Sequence, residues 1–224
     1  MSVADLKTEL TRGQQTGNPT MGVQLIGLKR CPHCSIAAPN FIRMWGSEGP
    51  TSRTDGGPNR YWGCYRCRSC GSIVTCSGLP SGGDQFAFFE IFPDARMAHT
   101  DIPEPARTYL QQAYETLHAP DAAAVMAGSA VDAMLKVRGL TNGSLYSRID
   151  EALSQNLLTK GMAEWAHEVR LGSNRPRHAD RENPHVSPDE AKQSVEFAEA
   201  LGNFLFVLTA RIDRGLKEAK GEQT

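Results

Sequence analysis

The sequence lacks any long apolar run. Within its 224 residues, no uninterrupted apolar stretch approaches the about 18 residues that favour a membrane-spanning helix. The first residues, MSVADLKTELTRGQQTGNPTMG, also lack the basic start and apolar run of a secretory signal. We therefore expect a cytoplasmic protein with no membrane partner, whose residues 1–22 form a flexible polar leader.

Cysteine is absent from the 148 residues after Cys76, and all six cysteines lie between Cys31 and Cys76. A disulfide scaffold is typical of a secreted chain, and the sequence offers no secretory signal. The spacing instead gives CPHC and, after a Gly- and Pro-rich spacer, CYRCRSCG. Because each Cys-x-x-Cys turn presents two thiolates to one metal ion, two such turns complete a closed tetrahedral site.

Three cysteines compete for the second turn. Cys67 and Cys70 are the preferred pair because Gly71 follows them, where the turn needs a residue without a β-carbon. Cys64 remains the alternative to Cys70. We predict a structural zinc ion, since four thiolates leave no position for water; its ligands are Cys31, Cys34, Cys67 and Cys70. A catalytic zinc enzyme would instead require water in place of one cysteine.

The net charge of −1 hides an asymmetry along the chain. Residues 24–80 carry seven basic and two acidic side chains, whereas residues 81–160 carry six basic and ten acidic ones. A basic front segment favours contact with nucleic acid, and Arg66 and Arg68 are its candidate contacts. The alternative is that a small zinc module is basic only because its surface is small.

Apolar residues recur at three- and four-residue steps through the rest of the chain, which predicts five amphipathic helices. Their expected starts lie near Pro105, Pro120, Ser144, Thr159 and Ser187. The sequence therefore predicts a mainly α fold. A helical bundle over residues 103–215 follows a small β zinc ribbon over residues 23–80 and a connecting strand or linker over residues 81–102. Residues 216–224 are expected to form a flexible tail.

Three segments carry a resemblance to a known family. In order, they are IFPDARMAHTDIPEPARTYLQQAYETLHAPDAAAVMAGSAVDAMLKVRG, SRIDEAL and EVRLGSNRPRH. This order resembles the domain of unknown function 4145 family, which is HEPN-like, over residues 93–212, and a zinc ribbon often precedes that domain. The resemblance implies a HEPN-like helical bundle and a homodimer. Most members have no assigned activity, but many proteins of the wider HEPN superfamily cut RNA without a metal.

The cleavage motif of that superfamily is an Arg, usually followed by Asn, and then a His. Asn174 and His178 have the Asn-to-His spacing of the motif, but Ser173 stands where the Arg would be. A second family feature, an Arg one turn before an acid on the second helix, corresponds to Gly128 and Asp132. The basic residue is therefore missing at both positions.

Metal-free cleavage needs a group that moves protons, such as His178, and a fixed cation on the phosphate. Arg170, Arg175 or Arg177 must supply that cation. Arg170 precedes Asn174 by one turn, although Pro176 predicts a kink or an end of the helix.

Two function classes remain open. In the first, Arg170, Asn174 and His178 are catalytic, and the protein is a metal-independent endoribonuclease or toxin-like effector in host defence. In the second, it is a non-catalytic module for dimerisation or for nucleic-acid binding, RNA rather than DNA, with Arg175 and Arg177 on the phosphates. In the plainest reading of this stretch, Asn174 and His178 only hydrogen-bond a helix end.

Overall fold

The chain divides into two compact units, residues 1–96 and residues 97–224. The computed structural model describes residues 15–82, 85–179 and 181–221. Within these ranges, every helix is too short or too polar to span a lipid bilayer.

The first unit is a closed antiparallel barrel of six strands. The strands are β1 (Gln15–Met21), β2 (Gln24–Leu28), β3 (Phe41–Gly46), β4 (Tyr61–Cys67), β5 (Ile73–Gly82) and β6 (Gln85–Phe92). Each strand pairs with its neighbours in sequence, and β6 closes the barrel by pairing with β1. The prediction of a mainly α fold with a small ribbon in front is therefore wrong.

Two of these strands lie outside the predicted zinc ribbon, and for one of them the sequence predicts no regular structure. β1, with the sequence QTGNPTM, lies in the predicted leader, and β6 lies in the predicted connecting segment. β1 is polar and contains Gly and Pro, so it carries no strand signal of its own. It is a strand because β2 and β6 pair with it on either side. The remainder of the predicted leader, residues 1–14, lies outside the described residues.

Apolar side chains fill the barrel. Phe41, Tyr65 and Val74 are almost fully buried, and Met21 and Leu25 pack with them. The Tyr65 hydroxyl donates to the carbonyl oxygen of Gly22 at 2.9 Å, which satisfies its one polar group. Tyr65 is thus a core residue of the barrel.

The second unit contains the five helices predicted from periodicity. They are α1 (Ala106–Glu115), α2 (Pro120–Val137), α3 (Leu145–Ser154), α4 (Lys160–His178) and a last helix that begins as α5 (Pro188–Gly202). α5 continues through a π-helical segment, Asn203–Val207, into α6 (Leu208–Ala219). Residues 216–219 are therefore helical, although the sequence predicts a flexible tail there.

Side-chain caps begin α4 and α5 where the sequence predicts them. The Thr159 hydroxyl accepts from the amide of Met162 at the start of α4. At the start of α5, the Ser187 hydroxyl accepts from the Glu190 amide, and the Glu190 carboxylate accepts from the Ser187 amide. This reciprocal pair is the capping box that the sequence SPDE indicates.

α4 continues through Pro176, so of the two predicted outcomes, a kink or an end of the helix, the end is wrong. It ends at Ala179, which has a φ of 46° and whose amide donates to the carbonyl of Arg175. Pro176 lies in the last turn, so its missing N–H removes only the bond to the Gly172 carbonyl. The helix therefore carries His178 on the same continuous surface as Arg170.

α2 is the central helix and packs against α1, α3, α4 and α5. Its small residues, such as Ala127 and Gly128, are fully buried. A β-carbon added to Gly128 would lie 2.6 Å from the Ser173 hydroxyl oxygen, which is closer than van der Waals contact allows. α2 and α4 therefore approach each other closely at the Gly128–Ser173 contact.

The start of α2 is held to the chain that leads into α5. Asp121 accepts from the Val186 amide at 2.7 Å and contacts His185 at the same distance. The Val186 amide, and after it His185, holds the pKa of Asp121 below its usual range. The charged form of Asp121 therefore stabilises this connection.

α6 is exposed along its whole length. Leu208, Ile212 and Leu216 are each about half exposed and follow one another at four-residue steps. Residues four apart lie on one face of a helix, so these three form an apolar stripe. We call it the α6 stripe.

Candidate functional site

Four cysteines lie close together in the first unit. The sulfur atoms of Cys31, Cys34, Cys67 and Cys70 all lie within 4.8 Å of one another. The sequence predicts these four as ligands, and the structure brings them together. Cys64 is not among them, because its thiol contacts the Thr75 hydroxyl across the strands at 3.6 Å.

Backbone hydrogen bonds shape the two cysteine turns. The Ser35 amide donates to the Cys31 carbonyl, and the Gly71 amide donates to the Cys67 carbonyl, each at 2.9 Å. Gly71 has a φ of +74°, so it meets the predicted need for a residue without a β-carbon. His33, between the first two cysteines, is exposed, and its Nε2 lies 2.9 Å from the Ile73 carbonyl. His33 therefore bridges the first turn to the second.

The four sulfurs fit a tetrahedral metal ion. A Zn–S distance of about 2.3 Å places the sulfurs of a regular tetrahedron about 3.8 Å apart, slightly less than the spread observed here. Burial raises the pKa of Cys31 far above its usual range and also raises the pKa of Cys34. Burial also acts against ionisation of Cys70, but hydrogen bonds from Ser72 and Cys34 outweigh it and lower its pKa to about 7. Burial opposes the ionised form of these thiols, and the positive charge of a bound cation would stabilise that form.

The other predicted contacts of the front segment lie on the barrel surface. Arg66, near the end of β4, and Arg68, just after it, are both exposed. Tyr61 stacks on Phe86, with ring centroids 4.4 Å apart, so its ring is engaged within the barrel.

A groove of about 690 Å³ opens in the helical unit, lined by residues from α1 to α4. The predicted catalytic residues Arg170, Asn174 and His178 all line it, and so does Arg177. At 100° per residue these four side chains fall on one face of α4. His178 and Arg177 are exposed, whereas Arg170 and Asn174 are partly buried.

Arg175 lies outside this groove, although the sequence predicts that it binds nucleic acid. Its guanidinium donates to the Glu190 carboxylate at 2.6 Å and lines a second cavity with Trp165 and Gly172. At 100° per residue, Arg175 lies about 140° around the helix axis from Arg170, so its side chain points away from the groove. Arg175 therefore supports the start of α5.

The groove is positively charged. Lys136 and Arg148 join Arg170 and Arg177 in its lining, and Asp132 is its only carboxylate among the described residues. Asp132 accepts from Arg148 Nε at 2.8 Å and lies 2.6 Å from Lys136 Nζ, so it compensates part of their charge. Arg170 and Arg177 form no ion pair with any described residue, which leaves their charges available to a phosphate.

An aromatic side chain lies beside these cations. The Tyr146 ring lines the groove, with the Arg170 guanidinium 5.3 Å from its centroid. The His167 ring lies 4.8 Å from the Tyr146 ring, and His167 Nε2 lies 3.0 Å from an Asp150 carboxylate oxygen. Arg170 Nε is buried and has no hydrogen-bond partner among the described residues. The Arg170 guanidinium therefore has one buried N–H group that donates to no described residue.

The departure from the cleavage motif has a structural counterpart. Ser173 is fully buried, donates to the Arg170 carbonyl at 2.9 Å and lies next to Gly128, which itself lines the groove. The two motif positions that lack a basic residue thus contact each other in the α2–α4 packing. An arginine at either position would have to enter this contact.

Sequence reasoning missed three residues of the groove: Lys136, Tyr146 and Arg148. They come from α2 and α3, and nothing in their local sequence points to α4. Only the packing of α2 and α3 against α4 brings them to the same groove as His178.

The comparisons with known proteins give one family match, to a domain whose function is unknown. Residues 111–219, within the helical unit, match the family model described as Domain of unknown function (DUF4145). The matched region begins within α1 and ends with α6, so the barrel lies outside it. The match supports the predicted family over these residues, which are just under half of the chain. No curated protein and no solved structure matches the chain.

Proposed function

We propose that the groove binds RNA and that His178 takes part in metal-independent cleavage of the bound strand. The observation that carries this proposal is the single groove shared by His178, Asn174, Arg170 and Arg177. The HEPN-like character of the helical unit, and a toxin-like role in host defence, stay predictions from the resemblance.

The proposed chemistry assigns one task to each of these side chains. The 2′-oxygen of a ribose attacks the adjacent phosphorus, and the bond to the 5′-oxygen of the next nucleotide breaks. The 2′-hydroxyl loses a proton and the leaving oxygen gains one, and His178 carries one of these transfers, with water carrying the other. Arg177 and Arg170 stabilise the charge that builds on the phosphate oxygens. Asn174 orients the strand by hydrogen bonding.

The test is incubation of the full chain with labelled single-stranded RNA in EDTA. We expect the wild type to release products with 2′,3′-cyclic phosphate ends and the His178→Ala variant to release about 10²- to 10⁴-fold less, the usual contribution of a general acid or base. The matched control is His118→Ala, because His118 is exposed and lies outside the groove. Equal cleavage by wild type and His178→Ala would contradict the proposal.

Binding without cleavage is the second candidate function. It is favoured by the residues at the two motif positions, since neither Ser173 nor Gly128 carries a cation that could contact the phosphate. In this case the wild type binds RNA and loses affinity with rising salt, but the RNA stays intact. Arg177→Ala should then lower both the affinity and the salt dependence, whereas Arg175→Ala should leave the salt dependence unchanged.

We further propose that the four-cysteine cluster holds Zn²⁺ as a structural ion. Four thiolates suit zinc, and a closed tetrahedral shell supplies fold stability rather than an open coordination position. Cys31, Cys34, Cys67 and Cys70 would hold the ion. Metal analysis of the purified chain should give one zinc per chain, and loss of zinc should perturb the two cysteine turns first.

The homodimer implied by the resemblance is also a proposal, and the α6 stripe is the surface that suits it. Arg211 and Glu218 lie one heptad apart along one edge of the stripe, so in an antiparallel pair each would meet its opposite charge on the second copy. Sedimentation of wild type and Ile212→Glu tests this. A monomeric wild type, or a variant that still dimerises, would contradict it.

A further inference from the structure

Tyr146 is an exposed aromatic residue within a cationic groove. It lies in the first turn of α3, and about half of its surface, 52%, is accessible to solvent. Tyr146 lines the same groove as Arg177 and His178. An aromatic side chain that is about half accessible beside unpaired cations is suited to a ligand that has both an apolar face and negative charge.

The Tyr146 ring is held in place from the protein side. The His167 ring contacts it at a tilt of 36°, and His167 is in turn fixed by Asp150. The Arg170 guanidinium lies over the ring at 5.3 Å. Because Tyr has few rotatable bonds and this ring already has two neighbours, ordering it on binding costs little entropy.

We infer that Tyr146 is a positioning residue, a platform on which the groove stacks an unpaired base of its RNA ligand. This inference rests on the proposed function of the same groove. Stacking on an aromatic ring requires a base with a free face, which single-stranded RNA offers and a paired helix hides. Arg170 strengthens the platform because a guanidinium beside the ring can also contact the base or its phosphate.

The spacing along α4 indicates how the ligand lies. Arg170 marks the Tyr146 end of the groove, and His178 follows eight residues later, roughly 12 Å along the helix axis at 1.5 Å per residue. This span is longer than one nucleotide. The base on Tyr146 and the phosphate at His178 therefore belong to different nucleotides, and the groove takes a segment of strand rather than a mononucleotide.

The experiment compares binding of wild type, Tyr146→Ala and Tyr146→Phe to a short single-stranded oligoribonucleotide. The Ala variant should bind roughly 5- to 150-fold more weakly, the range expected for one stacked base. The Phe variant keeps the ring and should bind within about twofold of wild type. Circular dichroism should be unchanged in both, since Tyr146 is exposed and lies at a helix start.

An abasic strand of the same length separates stacking from a structural effect. Wild type and Tyr146→Ala should bind the abasic strand equally, because the platform then has no base to hold. Equal weakening on both strands would show that Tyr146 acts through the fold and would overturn the inference.

The remaining outcomes separate the two proposals. One outcome is that wild type binds the oligoribonucleotide and that Arg177→Ala, but not Tyr146→Ala, weakens this binding. The groove then binds RNA, and the inference that Tyr146 stacks a base is wrong. If wild type does not bind RNA at all, the proposed function fails, and the inference that rests on it falls with it.

Discussion

Restoring the missing motif arginine should damage the protein rather than activate it. The perturbation is Ser173→Arg. Ser173 is fully buried next to Gly128. A β-carbon added to Gly128 would lie only 2.6 Å from the Ser173 hydroxyl oxygen. An arginine side chain at residue 173 would have to displace the close α2–α4 contact.

The expected magnitude has two contributions. Added volume in a close-packed contact costs about 1–3 kcal/mol, and an unpaired buried charge costs several kcal/mol more. We therefore expect a loss of at least about 3 kcal/mol in the free energy of unfolding, a large share of the about 5–15 kcal/mol typical of a domain. For a chain of this size that corresponds to a fall in Tm of roughly 6–12 °C.

The assay is thermal and urea unfolding of the helices, followed by circular dichroism. Leu171→Arg is the matched control, because Leu171 is exposed two residues earlier on α4 and should change stability by less than about 0.5 kcal/mol. A double-mutant cycle tests the contact itself. Gly128→Ala should destabilise by about 1–3 kcal/mol, and Ser173→Gly in the same chain should recover part of that loss.

A Ser173→Arg variant that unfolds like the wild type and cleaves RNA faster would refute this reasoning. That result would mean that α2 and α4 separate easily at Gly128 and that the side chain at residue 173 reaches the groove. Additive effects in the double-mutant cycle would equally show that the two residues do not press on each other.

Three further predictions follow from the other contacts. Cys67→Ser should lower the zinc content of the purified chain, whereas Cys64→Ser should retain one zinc per chain; equal zinc in both would remove Cys67 from the site. Arg148→Ala should destabilise the helices by about 1.5–3 kcal/mol, because it removes the charge-assisted hydrogen bonds to Asp132 while Lys136 still pairs with that carboxylate; a loss below about 1 kcal/mol would show that water already screens the pair. Asp121→Asn should cost about 1 kcal/mol or less at neutral pH, since Asp121 is partly exposed. The pKa of Asp121 is lowered in the fold, so its contribution is present above the unfolded pKa and is lost as pH falls through the folded pKa. Wild type and variant should therefore converge in acid, and a difference that persists there would contradict the assignment.

Local signals were sufficient for the metal ligands and for the helices. The choice of Cys70 over Cys64 depended on Gly71, whose positive φ is a property of a few consecutive residues. The start of α5 depended on the hydroxyl and carboxylate of Ser187 and Glu190, three residues apart. Such features need no knowledge of the rest of the chain, because the interacting groups are neighbours in sequence.

The barrel and the groove required contacts that no local pattern encodes. β1 reads as a polar leader and is a strand because it pairs with β2 and with β6, in which Ala87 lies opposite Thr20, 67 residues earlier in the chain. The sequence by itself therefore determined the cysteine turns and the positions of the helices. Tertiary structure decided that the barrel closes, that Arg177 enters the groove while Arg175 does not, and that Tyr146 joins them. These outcomes depend on which surfaces of distant segments pack together, and hydrophobic periodicity identifies the faces that are buried without identifying their partners.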